Sequence, residues 1–183
     1  VFNTLHGLLP EQLRLLDLRH GDKRHELEFH LRINHAGSDA ILALMHRHGY
    51  CLQRPHFGFQ SRLHGLLTGK IDLLYQSEGR VFILAYKSTL LPAYDQAALA
   101  GAMQDSEYDL QYLLYSVAVH RWLKHKLGAA YEFSRTFGGI RYLFVRGMRP
   151  GLVDGIFCDV PPADLIAGLD ACFDSDTKDC HER

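Results

Sequence analysis

Asp72 and Lys87 are a pair whose types and spacing could do chemistry together. They lie on two apolar-rich runs, Gly69 to Gln76 and Val81 to Lys87, separated by Ser77-Glu78-Gly79-Arg80, a hairpin by length and by its glycine. A two-residue loop at Glu78-Gly79 and a four-residue loop at Ser77 to Arg80 give the same register. That register sets Asp72 opposite Ala85 and Lys70 opposite Lys87. Cross-strand partners share a face, so Asp72, Ala85 and Lys87 come within roughly 5 to 8 Å of one another at Cβ. An acid and an amine so placed can act as metal ligand and charge stabiliser, or simply as a structural ion pair. The other face carries Ile71, Leu73, Tyr75, Phe82, Leu84 and Tyr86, and suits a core.

A second constellation is Gln111 and Tyr115, four residues apart on a predicted helix, with Tyr108 a turn earlier. An amide and a phenol on one helical face can touch a phosphate or a base, and they can equally be ordinary surface residues. The histidines (His30 and His35, His46 and His48, His120 and His125) form no HExxH or other ligand spacing and read as solvated or capping groups.

These residues need a scaffold. Leu8 to Leu18 reads as a short helix entered at Pro10, and strict alternation from Glu26 to Ile33 reads as a half-buried strand. Ser38 caps a helix ended by Gly49. After the hairpin come helices from about Tyr94 to Met103 and Tyr108 to Leu127, the second with Ser106 as N-cap, Asp109 three residues on, and Leu110, Leu113, Leu114 and Val117 as its core stripe. Strands over Ile140 to Arg146 and about Leu152 to Val160, then a helix from Pro162 to Phe173, complete the chain. The polar tail from Asp174 is expected to fray.

Length and composition bound the reading. The 183 residues suit a single domain, 1–183, and 47% apolar with 22% charged residues is enough for a proper core. Lys and Arg total 20 against 21 Asp and Glu, a net charge of −1, so the basic excess of a nucleic-acid binder is absent. The four cysteines make no CxxC, and free thiols in a reducing cytoplasm are the expectation. No apolar run reaches the roughly 18 residues of a membrane span, and no signal peptide is visible at the N-terminus. Because the first residue is Val1, the chain reads as a C-terminal fragment of a longer polypeptide.

Three stretches in order resemble the RecB family of nuclease domains, within the PD-(D/E)xK nucleases. They are Gly69-Lys70-Ile71-Asp72-Leu73, Ile83-Leu84-Ala85-Tyr86-Lys87-Ser88 and Asp109-Leu110-Gln111-Tyr112-Leu113-Leu114-Tyr115-Ser116. The similarity extends from Glu26-Leu27-Glu28-Phe29 to Leu143-Phe144-Val145-Arg146-Gly147-Met148. It implies an α/β fold, a mixed central sheet flanked by helices, and metal-dependent cleavage of DNA in a helicase-nuclease complex for double-strand break repair and recombination. Carried over, Asp72 falls on the metal-binding aspartate, and Lys87 on the lysine that activates water or stabilises the developing charge. Tyr86 falls on the residue whose backbone carbonyl helps to hold the metal, and Gln111 and Tyr115 on the helix motif that positions DNA. Implied partners are DNA, the other subunits of the complex and a strand-exchange recombinase, with no membrane and a cytoplasmic location.

Two departures stand out. Ala85 occupies the position of the second metal-binding Asp, and the family's metal-binding His lies upstream of what this chain contains. Mg²⁺ prefers near-octahedral oxygen ligands, so the resemblance with Ala85 implies Mg²⁺ weakly bound or absent and cleavage severely impaired. An engineered substitution and a naturally decayed site would both produce Ala85. The alternative to a defective nuclease is a non-catalytic module that binds DNA or docks a recombinase on a nuclease scaffold.

Overall fold

A computed structural model of the chain describes residues 2–57 and 62–174. The elements are α1 (Phe2–His6), β1 (Lys23–Gly37), α2 (Ser38–Arg47), β2 (Arg62–Ser77), β3 (Arg80–Lys87), α3 (Gln96–Asp105), α4 (Tyr108–Leu127), α5 (Phe133–Thr136), β4 (Phe137–Phe144), β5 (Ile156–Asp159) and α6 (Ala163–Asp174). The strands form one five-stranded sheet in the order β1-β2-β3-β4-β5. It is mixed, because β2–β3 and β4–β5 pair antiparallel while β3–β4 pair parallel. The expected α/β class and mixed sheet with helices are therefore what the chain adopts.

The chain divides into two compact units. The first comprises residues 1–27, 70–106 and 134–160, and the second 28–69, 107–133 and 161–183. In the first unit, one sheet face supplies Leu73, Tyr75, Phe82 and Leu84 to a core with Leu143, Ile156, Met148 and the opening leucines Leu9, Leu15 and Leu18. This is the apolar face read from the hairpin alternation. β3 is buried from Val81 to Ala85, and β4 along its whole length. Strands covered on both faces read as continuous apolar runs, which is the sequence seen here.

The opening segment departs from expectation. No helix runs from Leu8 to Leu18; instead Leu9 donates its amide to the Leu13 carbonyl (2.8 Å), Gln12 takes a left-handed φ of 57°, and a short 3-10 turn covers Leu15–Asp17. Folding back in this way buries Leu9, Leu15 and Leu18 together, which a single straight helix stripe does not have to do. The turn also sends Glu11 into the unit, where it meets Arg141 and Tyr75.

In the second unit α6 packs against α2 and α4. Ile41, Leu42, Met45, Leu113, Val117, Leu123, Leu165, Ile166, Leu169 and Phe173 are among its buried residues from these helices. Ser106 does not cap α4. It closes α3, and Glu107, with φ of 52°, precedes Tyr108 without a side-chain cap. Asp109, expected to support that cap, accepts the amide of Cys51 instead (2.8 Å) and ties down the loop after α2. α4 itself spans Tyr108–Leu127 as read, but its buried set adds Tyr112, Ser116, Val119, His120 and Leu123 to Leu113 and Val117. No disulfide joins the described cysteines, which are Cys51, Cys158 and Cys172. Cys180 and the tail after Asp174 lie outside the described residues.

Candidate active site

The hairpin is the element that builds the site. Ser77 pairs with Arg80, leaving Glu78 (φ 49°) and Gly79 (φ 77°) as a two-residue loop with both central residues left-handed. Such a turn matches the twist of the flanking strands, and Gly79 adopts it without a Cβ penalty. From there the ladder runs through Gln76–Val81, Tyr75–Phe82 and Leu74–Ile83 to Leu73–Leu84, the register expected from the loop.

Just past Leu73–Leu84, the half-buried Asp72 turns its carboxylate onto β3. Its Oδ2 accepts the backbone N–H of Tyr86 at 2.8 Å. Asp72 thus stands within one hydrogen bond of the Ala85-Tyr86-Lys87 stretch. Lys70 uses its ammonium elsewhere, donating to Glu26 Oε2 on β1 at 2.9 Å. Tyr86 is partly exposed, and burial together with the negative charge of Asp72 raises its phenol above the ordinary tyrosine range.

β4 fixes the other flank. In the parallel register Ala85 sits beside Tyr142 and Lys87 beside Phe144. Ala85 is 3% exposed and has no side-chain oxygen. Lys87 holds its Nζ 4.9 Å from the centre of the Tyr142 ring, within the range of a cation–π contact. Alternate residues of β3 share a face, so Ala85, Lys87 and Tyr142 occupy one side of the sheet. Beyond Lys87, the Val145 amide donates to the Lys87 carbonyl (3.0 Å), and Arg146 Nε donates to the Ser88 carbonyl (2.7 Å). The Tyr94 hydroxyl then donates to Thr89 and accepts from Leu91, bracing the loop toward α3.

The first unit therefore brings together Asp72, Ala85, Tyr86 and Lys87. Gln111 and Tyr115 belong to the second unit, on α4, both partly buried. Tyr115 meets Phe29 edge to face, with centroids 5.5 Å apart at 79°. Phe29 also explains Gly69 at the head of the Gly69-Lys70-Ile71-Asp72 run, since a Cβ at position 69 would run into the Phe29 ring. Sequence reasoning missed Tyr142. The only signal was its place in the apolar run Ile140 to Arg146, which does not reveal a strand neighbour.

The donor set does not fit a hard divalent cation. Such an ion wants several oxygens in near-octahedral array. Here one Asp72 oxygen already accepts an amide and Ala85 supplies none. Among the described residues, no three His, Cys, Asp or Glu side chains cluster closely enough to hold a metal. What remains is one carboxylate, an ammonium over an aromatic ring and a strand end, an arrangement able to meet a phosphate by charge.

Comparison with known proteins adds an independent finding. The family model described as the PD-(D/E)XK nuclease superfamily matches residues 11–154. The RecBCD enzyme subunit RecB of Escherichia coli K12 is 45% identical over 117 residues, covering 61% of this chain and 10% of that protein. RecB of Haemophilus influenzae is 36% identical over 166 residues, 88% of this chain and 14% of that protein, and RecB of Mycolicibacterium smegmatis 36% over 130 residues. The chain thus spans about a tenth to a seventh of the length of these relatives.

Proposed function

We propose a function from one premise: the chain belongs to the PD-(D/E)XK nuclease superfamily. It is the nuclease region of a RecB-like subunit, a part of a longer polypeptide working on DNA in a helicase-nuclease complex for double-strand break repair and recombination. Residues 1–183 serve as one functional domain, and the cytoplasm is where DNA and the companion subunits meet it. No described helix is long and apolar enough to cross a membrane.

The observation that carries the reading is the Asp72 carboxylate on the Tyr86 amide, with Lys87 one residue on. It supports Asp72 and Lys87 as the remaining catalytic pair. Lys87 offsets charge developing on the scissile phosphate, where a positioned cation counts most. Tyr86 offers its backbone carbonyl, and Gln111 and Tyr115 on α4 orient the DNA. Superfamily members generally use Mg²⁺. Ala85 leaves this chain one carboxylate short, and for that reason cleavage is severely impaired as the sequence stands.

Ala85→Asp, made in the longer polypeptide, is expected to bring Mg²⁺-dependent DNA cleavage, and Lys87→Ala in that background to abolish it. Thermal melts accompany the nuclease assay, and the Ala85→Asp protein is expected to melt higher with Mg²⁺ present. A variant that folds, is stabilised by Mg²⁺ and still cleaves neither single-stranded nor duplex DNA removes the nuclease reading. Ala85 itself favours the second reading, a non-catalytic module that binds DNA or docks a strand-exchange recombinase. In that case Lys87→Ala weakens DNA binding by the unaltered chain, and Ala85→Asp brings no cleavage.

A further inference from the structure

Lys87 carries a flexible four-carbon stem, and such a stem can place its ammonium in many rotamers. Two features restrict it here. The parallel register of β3 and β4 places Tyr142 beside Ala85, and Tyr142 is fully buried, so its ring has no freedom to leave. The Lys87 ammonium lies over that ring, 4.9 Å from its centre. A ring face attracts a cation through its quadrupole, and does so without neutralising the charge as a carboxylate would.

We propose that Tyr142 is the positioning residue for Lys87: its buried ring holds the ammonium beside Ala85, charged and aimed at the phosphate of DNA. The proposal rests on the nuclease reading for its activity arm only. The ring does not touch the reacting atoms. It reduces the orientational freedom that Lys87 would otherwise lose on meeting the phosphate. Because the ring and not the hydroxyl does this, Phe should replace Tyr142 and Leu should not.

The test uses three variants: Tyr142→Phe, Tyr142→Leu and Lys87→Ala. By NMR of the unaltered chain, the side-chain methylene protons of Lys87 nearest its ammonium should be shifted upfield by the ring; Tyr142→Phe should keep that shift and Tyr142→Leu erase it. In the Ala85→Asp background, Tyr142→Leu should lower kcat about tenfold with KM for DNA little changed, while Tyr142→Phe stays within about threefold of the parent. If Ala85→Asp cleaves nothing, the decision passes to oligonucleotide binding by the unaltered chain. There Lys87→Ala and Tyr142→Leu should weaken binding to a similar extent, and the double variant no further. An absent upfield shift, a shift that survives Tyr142→Leu, a Phe variant as impaired as Leu, or additive binding losses would each overturn the assignment. Thermal melts separate these outcomes from unfolding, since Tyr142 is buried and Tyr142→Phe keeps its volume.

Discussion

Glu11 and Asp72 are both carboxylates of the first unit, and their surroundings differ in kind. Glu11 receives Nε and Nη2 of Arg141 on Oε1 and the Tyr75 hydroxyl on Oε2, with the ion-pair side chains only 9% and 7% exposed. The guanidinium also lies 4.8 Å from the Phe82 ring centre. Asp72 accepts one backbone amide and is half-buried. The first arrangement commits both carboxylate oxygens to buried donors and so holds the opening segment to the sheet. The second keeps capacity in reserve at the end of the hairpin, which is where a ligand can be met. Burial raises the Tyr75 phenol, and the Glu11 charge adds to it, so this hydroxyl stays a donor at any ordinary pH.

The comparison can be broken most sharply at Glu11. Glu11→Ala strands a buried guanidinium, and the expected loss is about 3–5 kcal/mol in urea denaturation. A loss under about 1 kcal/mol would mean that Arg141 finds water or another acid, and that the contrast with Asp72 is one of appearance.

Asp170 of the second unit extends the contrast to a titration. It accepts Arg121 Nε, and His120 Nε2 lies 3.6 Å away, while Asp174 takes the other arm of the guanidinium. Burial alone would raise its pKa, but the polar contact with His120, the hydrogen bond from Arg121 and the charges of both lower it from 3.8 to about 2. The folded pKa lies below the unfolded one. The stabilisation is therefore complete above about pH 4 and disappears as pH falls toward 2, a contribution on the order of 1–2 kcal/mol. Asp170→Asn should flatten the decline of stability over that window in acid titrations followed by circular dichroism, and an unchanged decline would contradict the assignment.

The smallest effect belongs to the candidate site. Asp72→Asn keeps an acceptor for the Tyr86 amide and buries no new charge, so its stability cost should be no more than about 1 kcal/mol. Combined with a loss of function in the Ala85→Asp background, so small a cost would mark Asp72 as a residue kept for chemistry. A cost approaching that of Glu11→Ala would instead make it a structural anchor.

Much of the hairpin was legible beforehand because its determinants are local. Gly79 in a short loop sets the register, and a period of two sorts Leu73, Tyr75, Phe82 and Leu84 from Asp72 and Lys87. The long α4 was equally readable from its length. The opening leucines were not. Their spacing fits a helix as well as a turn, and what selects the turn is the core that Leu9, Leu15 and Leu18 join. Ser106 failed as a cap for a related reason. One residue serves one helix end, and here it closes α3.

By itself the sequence determined the class of fold, the register of the hairpin from Ser77–Arg80 to Leu73–Leu84, and the lack of a side-chain oxygen at Ala85, since each depends on residue type and pattern or on pairing across a two-residue turn. Only the tertiary structure decided that Tyr142 lies beside Ala85 under the Lys87 ammonium, and that Arg141 closes on Glu11. Those neighbours come from strands and turns far apart in the chain. Parallel pairing and burial, which bring them together, leave no periodicity from which a partner can be read.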